Sequence, residues 1–306
     1  MVHKIKKVLF IVNKFAGGGY TPELEGRIIQ VCAAHEAEPD IVYTQGPGHA
    51  TELASAAAGA GYERVAAVGG DGTINEVGRG LIHTGIPMGI IPRGSGNGLA
   101  RHLCIPLSIS DSVKTFLTAP ATTMDVFTLN NKLSLNVSGV GFDGHIANLF
   151  GGKTRRGLTG YAKLTIEEFL RFPEFEATLT IDGSLITRKA FVFAIANSSQ
   201  YGNNACIAPK ASVSDGLLHL NILKKVPPYR FDFVWAFFAK TIDQSSYSEI
   251  IKLRKLRIET KTPVPYHVDG EPCGSDTVFD ISVMPSILHI VVPSATTTTK
   301  SVLRPT

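Results

Sequence analysis

Along the first part of the chain, to about Ala121, short continuous apolar runs alternate with amphipathic stretches. Residues 8–12 form the first such run, closed by Asn13 and a glycine turn at residues 17–19. Thr21 and Pro22 then supply N-cap and first-turn chemistry for a helix reaching about His35, because a proline at the first helical position forfeits no hydrogen bond. Residues 41–43, 64–68 and 88–91 read as further strands, with helices over 51–58 and 74–82 between them. Strands that are apolar on both faces and joined by helices predict a parallel sheet covered on both sides.

After about Met124 the pattern changes. Residues 126–129 and 133–137 flank Asn130 and Asn131, and residues 175–181 lead through Asp182 and Gly183 into 185–196. Asn and Asp-Gly turns between alternating runs are hairpin signals, so this part reads as mainly antiparallel β. Helical inserts are expected over 159–172 and 229–241. The fold class is therefore α/β, with a parallel-sheet domain over 1–122 and a mainly antiparallel β domain with helical inserts over 123–293. A Thr-rich tail, 294–306, is free to return to the first domain.

Composition narrows the function. The chain has 306 residues, of which 44% are hydrophobic and 18% charged, enough for a well-buried core. A net charge of +4 lacks the dense basic stripe of a nucleic-acid interface, so no nucleic-acid partner is expected. Cys32, Cys104, Cys206 and Cys273 form no CxxC pair, which fits a reducing cytoplasm rather than a disulfide framework or zinc site. The basic and apolar start briefly imitates a signal peptide, but its apolar run ends after Val12 without a cleavage pattern and reads better as a strand. The longest membrane-like run, residues 233–239, is far shorter than the ~20 residues a spanning helix needs, so membrane contact is expected to be peripheral.

The informative chemistry follows the strands. Gly69, Gly70, Asp71, Gly72, Thr73, Ile74, Asn75 and Glu76 run from a strand end into a helix. Glycines let the backbone approach a ligand, and the free N–H groups of a helix start attract anions such as ATP phosphates. Asp71 would repel phosphate unless Mg²⁺ or its waters lie between. A second loop, Arg93, Gly94, Ser95, Gly96, Asn97 and Gly98, also leaves a strand and opens a helix. Two such loops at neighbouring strand ends converge on the carboxyl edge of the sheet, where open α/β folds bind ligands.

These residues resemble the diacylglycerol kinase catalytic-domain family, which includes soluble bacterial lipid kinases and the sphingosine and ceramide kinases. The segment from Gly69 to Val77 resembles that family's nucleotide loop, and the segment from Gly94 to Asn97 its second loop. The likeness extends to Asn13 with the following glycine turn, to Thr44 with Gly46 through Ala50, and to Met124, Asp125 and Val126. It continues through Asn136 to Asp143, Ser214 to Leu218, and Val268 to Glu271. The resemblance implies ATP contacts from Asn13, Thr44, Gly69 through Asn75, Ser95 and Asn97. Asp71 and Asp125 would join a Mg²⁺–phosphate water network, and Glu271 would accept the proton of a lipid hydroxyl. A structural Mg²⁺ or Ca²⁺ would take oxygens from Ser212, Asp215 and Leu217; by itself Asp215-Gly216 is also an ordinary turn. The implied partners are ATP and a lipid acceptor presented by a membrane, at the cytoplasmic face, with a homodimer one candidate assembly.

One departure matters. Many bacterial diacylglycerol kinases carry an acidic residue where this chain has Gly98, whereas sphingosine and ceramide kinases carry a small one. This leaves open a sphingoid acceptor. An NAD kinase shares the Gly-Gly-Asp-Gly-Thr loop but not the later motifs, and a non-catalytic nucleotide- or lipid-binding regulator would not need Glu271.

Other motifs are weaker. Gly139, Gly141 and Gly144 fit the spacing of a dinucleotide fingerprint, yet no short βαβ unit follows. Gly152, Lys153 and Thr154 imitate the end of a phosphate loop without its first glycine. The basic clusters at 153–156 and 252–257 suit anionic headgroups or a solvated face. Phe142, Phe150, Phe169, Phe172 and Trp235 suit an acyl-chain cleft or, more simply, the core.

Overall fold

The computed structural model describes residues 5–16, 22–150 and 158–294. The glycine turn at 17–19, Thr21, the imitation phosphate loop at 152–154, the basic cluster at 153–156 and the Thr-rich tail lie outside them. The chain divides into two compact units, one comprising 1–124 with 286–306 and the other 125–285.

In the first unit, strands β1 (Lys7–Val12), β2 (Glu38–Tyr43), β3 (Arg64–Gly69) and β4 (Met88–Pro92) alternate with helices α1 (Pro22–Ala34), α2 (His49–Ala57) and α3 (Asp71–Leu81). Helices α4 (Gly98–His102) and α5 (Ile109–Thr118) follow. The strands pair in parallel in the order β2-β1-β3-β4. The apolar runs of β1, β3 and β4 are almost wholly buried, while β2, at the sheet edge, is only partly covered. Val8, Phe10, Ala66, Val68 and Ile91 pack with Leu24 and Ile28 of α1 and Phe116 of α5. Phe10 meets Phe116 edge to face at 5.3 Å. Helix α3 starts at Asp71, earlier than the expected Ile74, because Gly70 is already its N-cap.

The second unit begins within β5 (Ala121–Leu129) and continues through β6 (Lys132–Ser134), β7 (Val137–Gly141), α6 (Phe142–Phe150) and α7 (Leu158–Arg171). Then come β8 (Phe175–Ile181), β9 (Ser184–Ala190), β10 (Val192–Ala196), β11 (Gln200–Gly202), β12 (Ala205–Cys206) and β13 (Leu218–Leu223). Helix α8 (Phe231–Phe238), β14 (Ser248–Leu253), β15 (Lys255–Val268) and β16 (Glu271–Val291) complete it. The strands run antiparallel in the order β14-β13-β10-β7-β15-β16, with β8 on β15 and β9 on β8. Positive φ at Asn130 and Asn131, at Asp182 and Gly183, and at Asp269 and Gly270 makes the tight hairpin turns that match strand twist.

Two boundaries differ from the sequence expectation. The second domain was expected to run to 293, but β16 re-enters the first unit at Ser286, where Ile290 pairs with Met88 of β4 and Val291 joins the core. Helix α8 is shorter than the 229–241 predicted, its end passing into a 3₁₀ turn at Ile242–Gln244.

Candidate functional site

Strand β1 lies between β2 and β3, so the connections from it diverge, and a crevice is expected at the carboxyl ends of β1 and β3. Asn13 stands there. Its N–H donates to the Val68 carbonyl (3.0 Å) and its side-chain amide to Thr73 Oγ1 (3.0 Å), while its Oδ1 accepts the Phe15 N–H (2.9 Å). The neighbouring Thr44 is tied by its N–H to the Val12 carbonyl (3.0 Å) and is 8% exposed.

The two glycine loops interlock at this edge. The Arg93 N–H donates to the Gly69 carbonyl at 2.7 Å. A Cβ on Gly94 would stand 2.7 Å from the Gly70 Cα, so only glycine permits the approach. Asn97, with φ of 51°, clasps its own loop. Its Oδ1 accepts the Gly94 N–H and its Nδ2 donates to the Gly94 carbonyl, both at 2.8 Å. Asp71 Oδ1 accepts the Gly98 N–H at 2.9 Å, joining the second loop to the first turn of α3. Ser95 is exposed at the loop tip, whereas the Ile74 side chain is buried in the core, leaving that residue only its main chain for a ligand. Asn75 Oδ1 accepts from Arg79 at 3.0 Å.

Glu76, in the sequence only a member of the first glycine-loop motif, has a definite task in the structure. Its carboxylate accepts the N–H groups of Gly48 (2.9 Å) and Ala50 (3.2 Å) at the start of α2, satisfying donors a helix start leaves unpaired. The α2 N-terminus is thus closed by the protein itself. Helix α3 begins at Asp71 with Gly70, which has no side chain to offer, at its N-cap, and its partial positive charge faces the glycine loops.

In the second unit, Asp125 is 1% exposed. Its N–H donates to the Val213 carbonyl (2.6 Å), its carboxylate accepts the Gly216 N–H (2.6 Å), and its carbonyl accepts from Asn197 (2.8 Å). Asp125 therefore holds the segment that carries Ser212, Asp215 and Leu217. Within it, Asp215 Oδ1 accepts the Leu217 N–H at 3.1 Å and Ser212 Oγ the Ser214 N–H at 3.4 Å. Among the described residues no three His, Cys, Asp or Glu side chains form a metal cluster, so a cation here would rely on carbonyl oxygens.

Glu271 opens β16 opposite Val268, across the Asp269-Gly270 turn, and is exposed. The turn itself is pinned. The Asp269 carboxylate accepts from Ser134 Oγ (2.6 Å) and from the N–H groups of Leu135 (2.8 Å) and Asn136 (3.0 Å). His267 Nδ1 accepts the Gly270 N–H at 3.0 Å, so Nε2 carries the ring proton and donates to Asp143 Oδ2 at 3.2 Å. Tyr201 donates to the same oxygen at 3.0 Å; burial, and then the Asp143 charge, hold its hydroxyl pKa well above the ordinary value. A Cβ on Gly139 would strike the Asp143 carboxylate and one on Gly144 the Tyr266 backbone. The glycines that imitate a dinucleotide fingerprint thus make room for this network. Asp143 and His267 are far apart in sequence, and no spacing signal pairs them. Phe142, Phe169 and Phe172 pack around Phe191 in the core, whereas Trp235 is 70% exposed.

Comparison with known proteins returns two family models that follow one another along the chain. The family model described as the diacylglycerol kinase catalytic domain matches residues 7–129. The model described as the YegS C-terminal NAD kinase beta sandwich-like domain matches 136–292. The chain is 28% identical to the probable lipid kinase YegS-like of Chromohalobacter salexigens, covering 89% of this chain and 88% of that one. It is 27% identical to the diacylglycerol kinase of Bacillus subtilis, covering 94% and 97% respectively. The crystal structure of a diacylglycerol kinase from Bacillus anthracis superposes with a TM-score of 0.74 at 23% identity, over 96% of this chain and 99% of that one, a likeness of fold.

Proposed function

The chain belongs to the diacylglycerol kinase catalytic-domain family, and from that premise we propose that it transfers the γ-phosphoryl group of ATP to the hydroxyl of a lipid. The observation that carries this reading is the interlock of the two glycine loops at the start of α3. Main-chain N–H groups there suit a polyphosphate, and the absence of Cβ atoms lets it approach. Asn13, Thr44, Ser95 and the main chain from Gly69 to Asn75 would contact ATP, with Asn97 keeping the second loop in shape.

The donor set fits Mg²⁺. Asp71 places a carboxylate on the first turn of a helix otherwise suited to anions, an arrangement that favours a cation between carboxylate and phosphate. Asp71 and, through water, Asp125 would hold the ion, which when bound neutralises and orients the phosphates. With no group of three His, Cys, Asp or Glu side chains gathered for a metal among the described residues, the ion would arrive with the nucleotide.

Glu271 would take the proton of the lipid hydroxyl as that oxygen bonds to phosphorus and the bond to the departing ADP breaks. Positioning and charge neutralisation supply most of the acceleration in such reactions. The acceptor in this reading is a lipid alcohol, diacylglycerol or sphingoid. A structural Mg²⁺ or Ca²⁺ at Asp215, with carbonyls of Ser212 and Leu217, is part of the same reading.

Incubation with labelled ATP and a total lipid extract, beside NAD as a soluble acceptor, tests it. Label in a lipid product supports the reading. Label in NADP alone, or MgATP binding without transfer to any acceptor, overturns it.

A further inference from the structure

Helix α8 has one charged residue, Asp232, in the sequence Phe-Asp-Phe-Val-Trp-Ala-Phe-Phe. Its inner side chains Phe233, Ala236 and Phe237 pack against the cluster built on Val137, Phe191 and Val192. Its outer side is apolar apart from the exposed Asp232 in the first turn. Val234 is 56% exposed, Trp235 70% and Phe238 49%, and Tyr229 just before the helix is 73% exposed. A surface helix normally turns polar residues outward, and a contiguous apolar patch on the surface marks a binding face.

The flanking charges say what covers it. Between residues 224 and 240 there are four basic side chains, Lys224, Lys225, Arg230 and Lys240, against the single acid Asp232. Arg230 and Asp232 pair at 2.7 Å and offset each other. The Lys225 ammonium is held by the carbonyls of Leu170 and Phe172. Lys224 and Lys240 are exposed at either side of the helix. A small apolar face with a basic border complements an anionic bilayer surface, where each nearby cation contributes modestly and aromatic rings seat at headgroup level. A second copy of the chain fits less well, because it would bring the same basic border against itself. An eight-residue helix, about 12 Å long, also offers far less than the ~800 Å² per partner of a stable interface.

We propose that α8 docks the protein on an anionic membrane, with Val234, Trp235 and Phe238 inserted at headgroup depth; the reason for a membrane encounter rests on the lipid-kinase reading. The mode is peripheral, since no described helix is long and apolar enough to cross.

Trp235 is the chain's single tryptophan, so its fluorescence reports this contact directly. On vesicles of equal parts phosphatidylcholine and phosphatidylglycerol, the full chain should show a blue-shifted emission that brominated lipid quenches. Val234→Ser with Phe238→Ser, which keeps the reporter and alters only exposed side chains, should weaken vesicle partitioning by about tenfold. It should leave turnover of a monomeric short-chain acceptor and the melting temperature unchanged. Lys240→Glu should reduce partitioning on the anionic vesicles more than on pure phosphatidylcholine. Unchanged emission on anionic vesicles, or unaltered partitioning of the double variant, overturns the proposal. A blue shift that follows protein concentration without vesicles assigns the face to self-association and also overturns it. Absence of phosphoryl transfer to any dispersed lipid would instead overturn the kinase reading, because the vesicle measurement uses neither ATP nor acceptor.

Discussion

The N–H of Gly98 donates to the carboxylate of Asp71 at 2.9 Å, tying the second glycine loop to the first turn of α3. Asp71 thus has a loop-holding bond as well as its charge. Asp71→Asn keeps an oxygen acceptor for Gly98 and removes the charge. It should leave the melting temperature within a few degrees of wild type while phosphorylation falls at least about a hundredfold, the scale on which loss of an electrostatic catalytic group is felt. Steady-state turnover and a thermal melt, compared side by side, decide it; an unaltered rate with Mg²⁺ dependence intact removes the assigned role.

Gly94→Ala is expected to damage the site through contact rather than backbone strain. Gly94 has no positive φ, but its added methyl would meet the Gly70 Cα at 2.7 Å. Forcing two main chains apart in a packed place costs about 1–3 kcal/mol, and nucleotide affinity should fall with it. Gly46→Ala is the control, since nothing lies within 4 Å of its added methyl. Calorimetric titration with MgATP should separate the two variants.

How much of this could be read from the residues differs between local and distant relations. The parallel strands were visible as unbroken apolar runs, and the hairpins as Asn130-Asn131, Asp182-Gly183 and Asp269-Gly270, because these signals are local. The start of α3 was misplaced because glycine and aspartate are poor helix formers, and only the loop packing shows that Gly70 caps it. The second unit's end differs because one long strand, β16, carries the chain from the second unit back into the first, with only Pro285 and the positive φ of Ser286 marking the passage. The tasks of Glu76, Asp125 and Asp269 were hidden for another reason. A carboxylate that accepts main-chain N–H groups from a distant segment has no spacing rule to announce it.

Asp215 tests the structural cation. A ligand bound only to the native chain stabilises it by mass action, so prolonged chelation should lower the melting temperature of wild type. Asp215→Ala should melt at that lower temperature with or without chelator. Asp215 also accepts the Leu217 N–H, so Asp215→Asn, which retains an acceptor, separates the turn from the ion. Identical melts of wild type with and without chelator argue that no cation is bound there.

Acid should weaken the fold through His102. Burial lowers its pKa to about 4 from the ordinary 6.5. In the unfolded chain it takes a proton as pH falls below 6.5, while in the folded chain it stays neutral until about 4. The unfolded state therefore binds more protons within that window, and stability drops as pH falls through it. Below both values the difference is constant. His219, also lowered chiefly by burial, adds to the same trend. His102→Gln should flatten the fall in denaturation midpoint between pH 6.5 and 4, without abolishing it. A slope equal to wild type would show that His102 protonates alike in both states.

Glu271 decides the mechanism. It sits one residue beyond the Asp269-Gly270 turn, and that turn is held from both sides. Asp269 takes three hydrogen bonds from the segment Ser134 to Asn136, and His267, braced by Asp143, receives the Gly270 N–H. An exposed carboxylate on so restrained a tip has a defined position, which a solvated surface glutamate does not need. A positioned carboxylate that takes the hydroxyl proton is typically worth ~10²–10⁴-fold. Glu271→Gln keeps the shape and removes the base, so kcat should fall by roughly that factor while MgATP affinity and melting temperature hold. Asp269→Asn and His267→Phe retain Glu271 but loosen its support, so each should lower kcat less than Glu271→Gln does. Combined with Glu271→Gln, either should add little, because a base already removed cannot be mispositioned. Near-wild-type turnover by Glu271→Gln on the phosphorylated lipid would assign proton removal to another group. Full additivity in the double variants would show that the Asp143–His267 support acts on something other than Glu271.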